Sequence, residues 1–190
     1  MITIVGAGAL GSHVALFLRN TDHAIRLVDF DKVEMKNTHA QFHTRMGLRK
    51  NKGQALSQAM LGMFGRMIEV VPHRLSRDNV AGILRPQNTD LVLDCTDNAK
   101  TRYLILDHCT DNDIPCLHGC LSADGTFARV VWNEVFQPDA EGDEKATCEG
   151  GEHLPFFAYA AAAMTLEVQR FLDTGKKRSM HVSVGNTMVV

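Results

Sequence analysis

Short apolar runs and helix-spaced amphipathic stretches alternate along this chain. The run 2–5 is continuously apolar and reads as a strand buried on both faces, followed by helical periodicity over about 10–20 and a second strand at 25–29. The alternation continues with helices over about 52–64, 77–84 and 98–110, and strands at 67–72, 90–94, 114–118 and 126–132. Parallel strands need long crossover connections, so this order predicts an α/β chain with a doubly wound, mainly parallel sheet and flanking helices. The stretch 137–151 breaks the rhythm. It is acidic, contains glycine and lacks either period, and reads as a long mobile crossover loop. A helix over about 154–172, with alanine at 158 and 160–163, and a closing strand at 181–190 complete a single domain over 1–190 without repeats.

The first strand passes directly into Gly6-Ala7-Gly8-Ala9-Leu10-Gly11, and the second ends at Asp29, 21 residues after Gly8. Strand, glycine turn, helix, strand and acid together form the nucleotide-binding βαβ pattern. Missing side chains let backbone N–H groups approach a phosphate at a helix N-terminus, and the acid lies near the spacing at which it reaches ribose hydroxyls. The unit does not choose among dehydrogenases, methyltransferases and adenylating enzymes.

Composition narrows the class. A net charge of -2 and a pI near 6.5 leave no basic footprint for nucleic acid. No apolar run reaches the roughly 18 residues needed to span a bilayer, and Met1 already enters a core strand, so neither membrane insertion nor a signal peptide is expected. Five cysteines, an odd number, argue against a secreted disulfide framework and for a cytoplasmic location.

The residues after Asp29 are more specific. Asp29-Phe30-Asp31-Lys32-Val33-Glu34 leads to Asn37, Gln41, Arg45 and Lys52, and Leu91-Val92-Leu93-Asp94-Cys95-Thr96-Asp97-Asn98 precedes Arg102. From Met1 to about Leu172 this resembles the ThiF-type adenylating family, which includes ubiquitin-activating enzymes and the adenylyltransferases of sulfur carriers. The resemblance implies a Rossmann-like fold, ATP as substrate and Mg²⁺ as cofactor. It also implies a dimer and, as partner, a small ubiquitin-like or sulfur-carrier protein whose C-terminal glycine is adenylated with release of pyrophosphate. It assigns Asp29 to the ribose, Asn37, Gln41 and Arg45 to the phosphates, and Asp97 to adenylation. Gly6, Gly8, Gly11 and Asp31 complete the nucleotide-binding set.

The chemistry fits these types. A carboxylate attacking the α-phosphorus of ATP is already ionised at pH 7, so positioning and charge neutralisation must supply the rate. Lys52 suits a phosphate clamp and Asp97, at the end of a buried strand, suits a Mg²⁺ ligand. The plainer alternatives are a solvated Lys52 and a helix cap at Asp97-Asn98. The chain departs from the family pattern at Ala40, where an arginine is usual; Arg45, with Arg49, Lys50 or His39, is expected to compensate, and Lys50 rivals Lys52. Relatives carry an arginine-bearing helix before the first strand, which here would come from a partner or be dispensable. Many also bind zinc through two C-x-x-C pairs. Here Cys116 and Cys120 are spaced C-x-x-x-C, so those two, Cys95 and Cys109 read as small core residues.

Cys148, in the 137–151 loop, is a candidate acyl acceptor; Lys145 and His153 would favour its thiolate, and Glu144, Glu149 and Glu152 would oppose it. Of nine scattered histidines only His118, expected near the sheet edge, invites a test. An apolar face around Phe156, Phe157 and Tyr159 is expected to be covered in a homodimer or heterodimer. Two other classes stay open. One is an NAD(P)-dependent oxidoreductase, which leaves Asn37, Gln41, Lys52 and Asp97 without roles. The other is a non-catalytic pseudo-subunit, for which Ala40 speaks; activation of a peptide or tRNA-linked carboxylate is a close variant of the main reading.

Overall fold

The computed structural model describes residues 1–122, 124–138, 153–184 and 186–189. Eight strands form one sheet in the order β3-β2-β1-β4-β5-β6-β7-β8. The strands are β1 (Ile2–Val5), β2 (Ile25–Val28), β3 (Glu69–Val71), β4 (Leu91–Asp94), β5 (Cys116–Leu121), β6 (Phe127–Trp132), β7 (Met180–Ser183) and β8 (Asn186–Val189). The first five run parallel, and β6, β7 and β8 extend the sheet antiparallel. The expected single closing strand is therefore a hairpin. His118 lies on β5, inside the sheet rather than near its edge.

Among the described residues six α-helices flank the strands: α1 (Ala9–Phe17), α2 (Asn37–Ala40), α3 (Lys52–Phe64), α4 (Val80–Ile83), α5 (Ala99–Asp111) and α6 (Leu154–Thr174). Alternation along the buried strands separates two cores. Ile2, Ile4, Leu27, Leu91, Leu93 and Leu117 face Leu10, Val14, Leu56, Phe157 and Met164 of α1, α3 and α6. On the other side Val5, Val28, Val92 and Cys116 meet Val80 of α4, Leu84 just after it, and Ile105 and Cys109 of α5. Small residues let α1 and α6 approach closely: Ala9, Gly11, Ser12 and Ala15 on one, Ala160, Ala161 and Ala163 on the other, all buried.

That packing corrects one expectation. Phe156 and Phe157 are only 7% and 0% exposed within the chain itself, and only Tyr159 of the three stands out at 43%. No apolar face around the two phenylalanines is left for a second subunit to cover.

Helix ends follow their capping residues. The Asn51 side chain accepts the Gln54 N–H at 3.1 Å to start α3, and Gly65 closes it at φ +66. Gly175, at φ +68, does the same for α6. The apolar stretch at 77–84 yields only the single turn of α4, because Asn79 spends its side chain on the Ser76 N–H and the Arg74 carbonyl.

Two glycines set the join between β1 and α1. Gly6 has φ +96, and a Cβ there would lie 2.8 Å from the Cys95 carbonyl oxygen; one at Gly11 would lie 1.9 Å from the Gly6 carbonyl oxygen. A Cβ at Gly8 would meet nothing within 4 Å. Gly11→Ala should therefore destabilise the fold by about 3 kcal/mol or more, or prevent it. Gly8→Ala should fold normally; thermal denaturation of the two variants compares them.

Candidate functional site

The strand order reverses its direction of growth at β1, which lies between β2 and β4. Ligands of open α/β sheets bind outside the carboxyl ends of the strands at such a point. Three segments meet there. Gly6–Gly11 leaves β1, Asp29 follows β2, and Thr96-Asp97 follows β4, alongside the loop through the Cys95 N–H to Val5 carbonyl bond at 2.9 Å.

Asp29 ties the first two segments together. Its Oδ2 accepts the Ala7 N–H at 2.6 Å and its Oδ1 the Asp31 N–H at 2.8 Å. Asn51 donates from Nδ2 to the Asp29 carbonyl at 2.7 Å and to the Asp31 carbonyl at 3.2 Å. The carboxylate is 8% exposed, and burial raises its pKa against the hydrogen bond from Ala7 and the charge of Lys52, which lower it. Helix α1 has no side-chain cap at Gly8 and no acid in its first turn, which suits an anion at its N-terminus.

The segment after α2 folds over this loop. Ser12 Oγ accepts the Phe42 N–H at 2.9 Å, and His43 Nε2 donates to the Ala7 carbonyl at 2.8 Å. Asn37 is buried, and its Oδ1 accepts the Glu34 N–H at 2.8 Å, closing the turn into α2. Gln41 is 7% exposed with Oε1 lacking a partner among the described residues. Arg45 is exposed, and its guanidinium makes no contact among the described residues. Ala40 is fully buried in the larger core, so the position where relatives carry arginine faces the core here. His39, Arg49 and Lys50 are exposed, and Arg49 sits in the left-handed region at φ 67.

Lys52 is the first residue of α3 and only 9% exposed, with Nζ 3.5 Å from Asp31 Oδ2. Lys50 points instead to Gln58 Oε1 at 2.8 Å. Of the two lysines, Lys52 is the one beside Asp29 and the glycine loop. Asp97 is exposed, and its carboxylate has no partner among the described residues, because the capping of α5 falls to Asn98, whose Oδ1 accepts the Thr101 N–H at 2.9 Å. A free carboxylate beside a phosphate cradle is what a Mg²⁺ ion needs when the nucleotide provides its other ligands.

Sequence reasoning missed two members of this cluster. Asn51 was assigned no role, and nothing in the pattern showed that His43 would reach back to Ala7. Burial lowers the His43 pKa to about 4, with Lys52 and His13 adding charge in the same direction and the Ala7 bond opposing. Cys109, Cys116 and Cys120 are buried as expected, and Cys95 is half-buried. Burial pushes the Cys95 and Cys116 thiols up, away from thiolate chemistry. Cys148, with Lys145, Glu144, Glu149 and Glu152, lies outside the described residues. Among the described residues no three His, Cys, Asp or Glu side chains are grouped to hold a metal ion, and no helix is long and apolar enough to cross a membrane.

Comparison with known proteins decides the family. The profile of the ThiF family matches residues 1–187. The chain belongs to the ThiF family. Its ThiF relatives include the adenylyltransferase and sulfurtransferase MOCS3 of Caenorhabditis briggsae, 36% identical over 182 residues, which cover 89% of this chain and 44% of that protein. The adenylyltransferase and sulfurtransferase UBA4 of Lodderomyces elongisporus is 32% identical over 184 residues, covering 90% of this chain and 40% of its own. The chain thus spans less than half the length of these two relatives. Among solved structures, E. coli MccB with ATP superposes with a TM-score of 0.78 at 16% identity, covering all of this chain and 63% of MccB. PaaA superposes with a TM-score of 0.76 at 19% identity over 62% of its own chain. At such identities the superpositions show the shared ThiF-type Rossmann-like fold.

The buried histidine sets a pH dependence. Between about pH 6.5 and 4 the unfolded chain binds a proton at His43 that the folded chain refuses, so stability present above pH 6.5 is lost as the pH falls through that window. His13, lowered by burial, acts in the same sense, while Asp29, raised by burial, contributes stability at low pH that is lost as pH rises through its folded value. Urea denaturation at pH 7 and pH 5 should show a loss of about 2 kcal/mol from His43, largely removed in His43→Gln.

Proposed function

We propose that this domain adenylates the C-terminal carboxylate of a small ubiquitin-like or sulfur-carrier protein with Mg²⁺ and ATP, releasing pyrophosphate. The observation that carries the proposal is the Asp97 carboxylate, without a partner among the described residues, in the segment after β4 at the switch point of the sheet, where the uncapped N-terminus of α1 also lies. Family membership and relatives named adenylyltransferases support the same chemistry.

In this reading the glycine loop and α1 hold phosphate oxygens through backbone N–H groups, and Lys52 neutralises charge on them. Asp29, already bound to two N–H groups, keeps lone pairs for a ribose hydroxyl. Gln41 and Asn37 line the approach, and Arg45, exposed and without a partner among the described residues, is the cation that replaces the arginine absent at position 40. Asp97 would hold Mg²⁺, which when bound offsets charge on the phosphates. The carrier's carboxylate attacks the α-phosphorus and the phosphoanhydride bond to pyrophosphate breaks; no base is needed because the nucleophile is ionised. We assign the protein to the cytoplasm and to a homodimer or heterodimer, in which a partner would supply the arginine that the family resemblance implies. Cys148 is the proposed acceptor if the acyl group moves on to a thiol.

An oxidoreductase leaves Asp97 and Lys52 without roles, and nucleotide choice separates it from the adenylating reading. ATP should therefore raise the melting temperature and NAD should not. Asp97→Ala should cut ATP–pyrophosphate exchange about 100-fold or more with the fold intact, and Lys52→Ala should cost at least about 10-fold. Exchange undiminished in Asp97→Ala would remove this mechanism. For Cys148, a carrier adduct that forms only with ATP and is released by dithiothreitol should disappear in Cys148→Ser while exchange persists.

A further inference from the structure

The last residue of β4, Asp94, has no solvent exposure at all, and neither has His118, its register partner on β5. A carboxylate in such surroundings must be fully satisfied, and the structure shows how. Asp94 Oδ1 accepts the Thr96 N–H at 3.0 Å and the Thr96 hydroxyl at 2.7 Å, and Oδ2 accepts from His118 Nδ1 at 2.8 Å. The imidazole is fixed in turn. Its Nε2 faces Asn133 Oδ1 at 2.9 Å, Asn133 is oriented by donating from Nδ2 to Thr110 Oγ1 at 2.7 Å, and the Phe136 ring stacks on the imidazole at 3.8 Å, 6° from parallel. Cys116 Sγ lies 3.4 Å from the same Nε2.

The other end of the network holds the backbone that carries Asp97. Arg102 donates to the Thr96 carbonyl from Nη2 at 2.6 Å and Nε at 3.1 Å. Thr96 is thus gripped at its N–H, its hydroxyl and its carbonyl, whereas the next side chain, Asp97, has no partner among the described residues. The direction in which Asp97 projects is set by Thr96, and Thr96 is set by Asp94. Both carboxylate oxygens of Asp94 are committed, so it is not itself available to a ligand.

We infer that His118 is a positioning residue, which acts through Asp94 and Thr96 to aim the Asp97 carboxylate at the metal of the bound nucleotide. The inference rests on the proposed role of Asp97. Without the imidazole, Asp94 Oδ2 loses its donor in a site closed to water, the carboxylate must turn to another partner, and Thr96 is released. Groups that orient a metal ligand typically matter 10–100-fold for metal affinity.

The test is a Mg²⁺ titration of the melting temperature at fixed ATP, with ATP–pyrophosphate exchange as a second readout, for the wild type, Asp97→Asn, His118→Gln and Thr96→Val. His118→Gln should raise the half-maximal Mg²⁺ concentration about 10-fold, and Thr96→Val, which removes one of the two Thr96 bonds to Asp94, should raise it by a smaller factor in the same direction. A merely structural His118 would lower the melting temperature at every Mg²⁺ concentration and leave the midpoint unmoved. If His118→Gln does not fold, Thr96→Val decides, at a half-buried position where the shape is kept. An unmoved midpoint in both variants, with a shifted one in Asp97→Asn, overturns the inference and leaves the proposed function standing. An unmoved midpoint in Asp97→Asn overturns the proposed role of Asp97 and the inference with it.

Discussion

Everything at this site is referred to the Asp29 carboxylate. One side chain at the end of β2 collects the Ala7 N–H of the glycine loop and the Asp31 N–H of its own turn, while Asn51 brings α3 to the carbonyls on either side. A buried carboxylate that accepts backbone N–H groups makes charge-assisted bonds, stronger than neutral ones, and cannot relax outward into water. The loop therefore has one arrangement, and Lys52, placed on the first turn of α3, has one address relative to it. The opposing influences on the Asp29 carboxyl, burial against hydrogen bonds and a nearby cation, show that the site accepts an electrostatic cost to gain that rigidity.

The positive charge is distributed unevenly around this frame. Lys52 is nearly enclosed, Arg102 is engaged on a carbonyl, and Arg45 and Arg49 stand in solvent. The enclosed cation is pre-placed, whereas the exposed ones must give up side-chain freedom when a polyanion arrives. His43, kept neutral by burial, adds a donor without adding charge.

Much of this was legible in the sequence because it rests on local pattern. The glycine spacing, the acid at the end of β2 and the alternation of apolar runs fixed β1, α1, β2 and β4, and α3 falls at 52–64 as the periodicity predicts. Interactions between distant segments were not legible. No local rule says that Ser12 will hold the Phe42 backbone, that Asn133 will orient His118, or that Phe157 will be consumed by the chain's own core. The strand after Gly175 was misread for a related reason: a hairpin of four-residue strands and one longer strand share the same period, and only the pairing register separates them. Lys52 and Lys50 were separable only once the helix start was known, since Lys52 is the first residue of α3 and Lys50 lies outside it, before the Asn51 cap.

The pairing of β1 has a consequence for the order in which the molecule is made. Its neighbour on one side, β2, follows within the same βαβ unit, but on the other side Ile2 pairs with Leu91 and Val5 with Asp94. Central strands whose partners are remote in sequence form late and keep an open edge until then. During synthesis the glycine loop would emerge early and wait, the strand before it lacking the Cys95 N–H bond to the Val5 carbonyl until β4 leaves the ribosome. The site is then completed only when β4 joins β1 rather than within the βαβ unit that announces it, so a nascent chain cut before β4 would carry the fingerprint without the Thr96-Asp97 segment beside it.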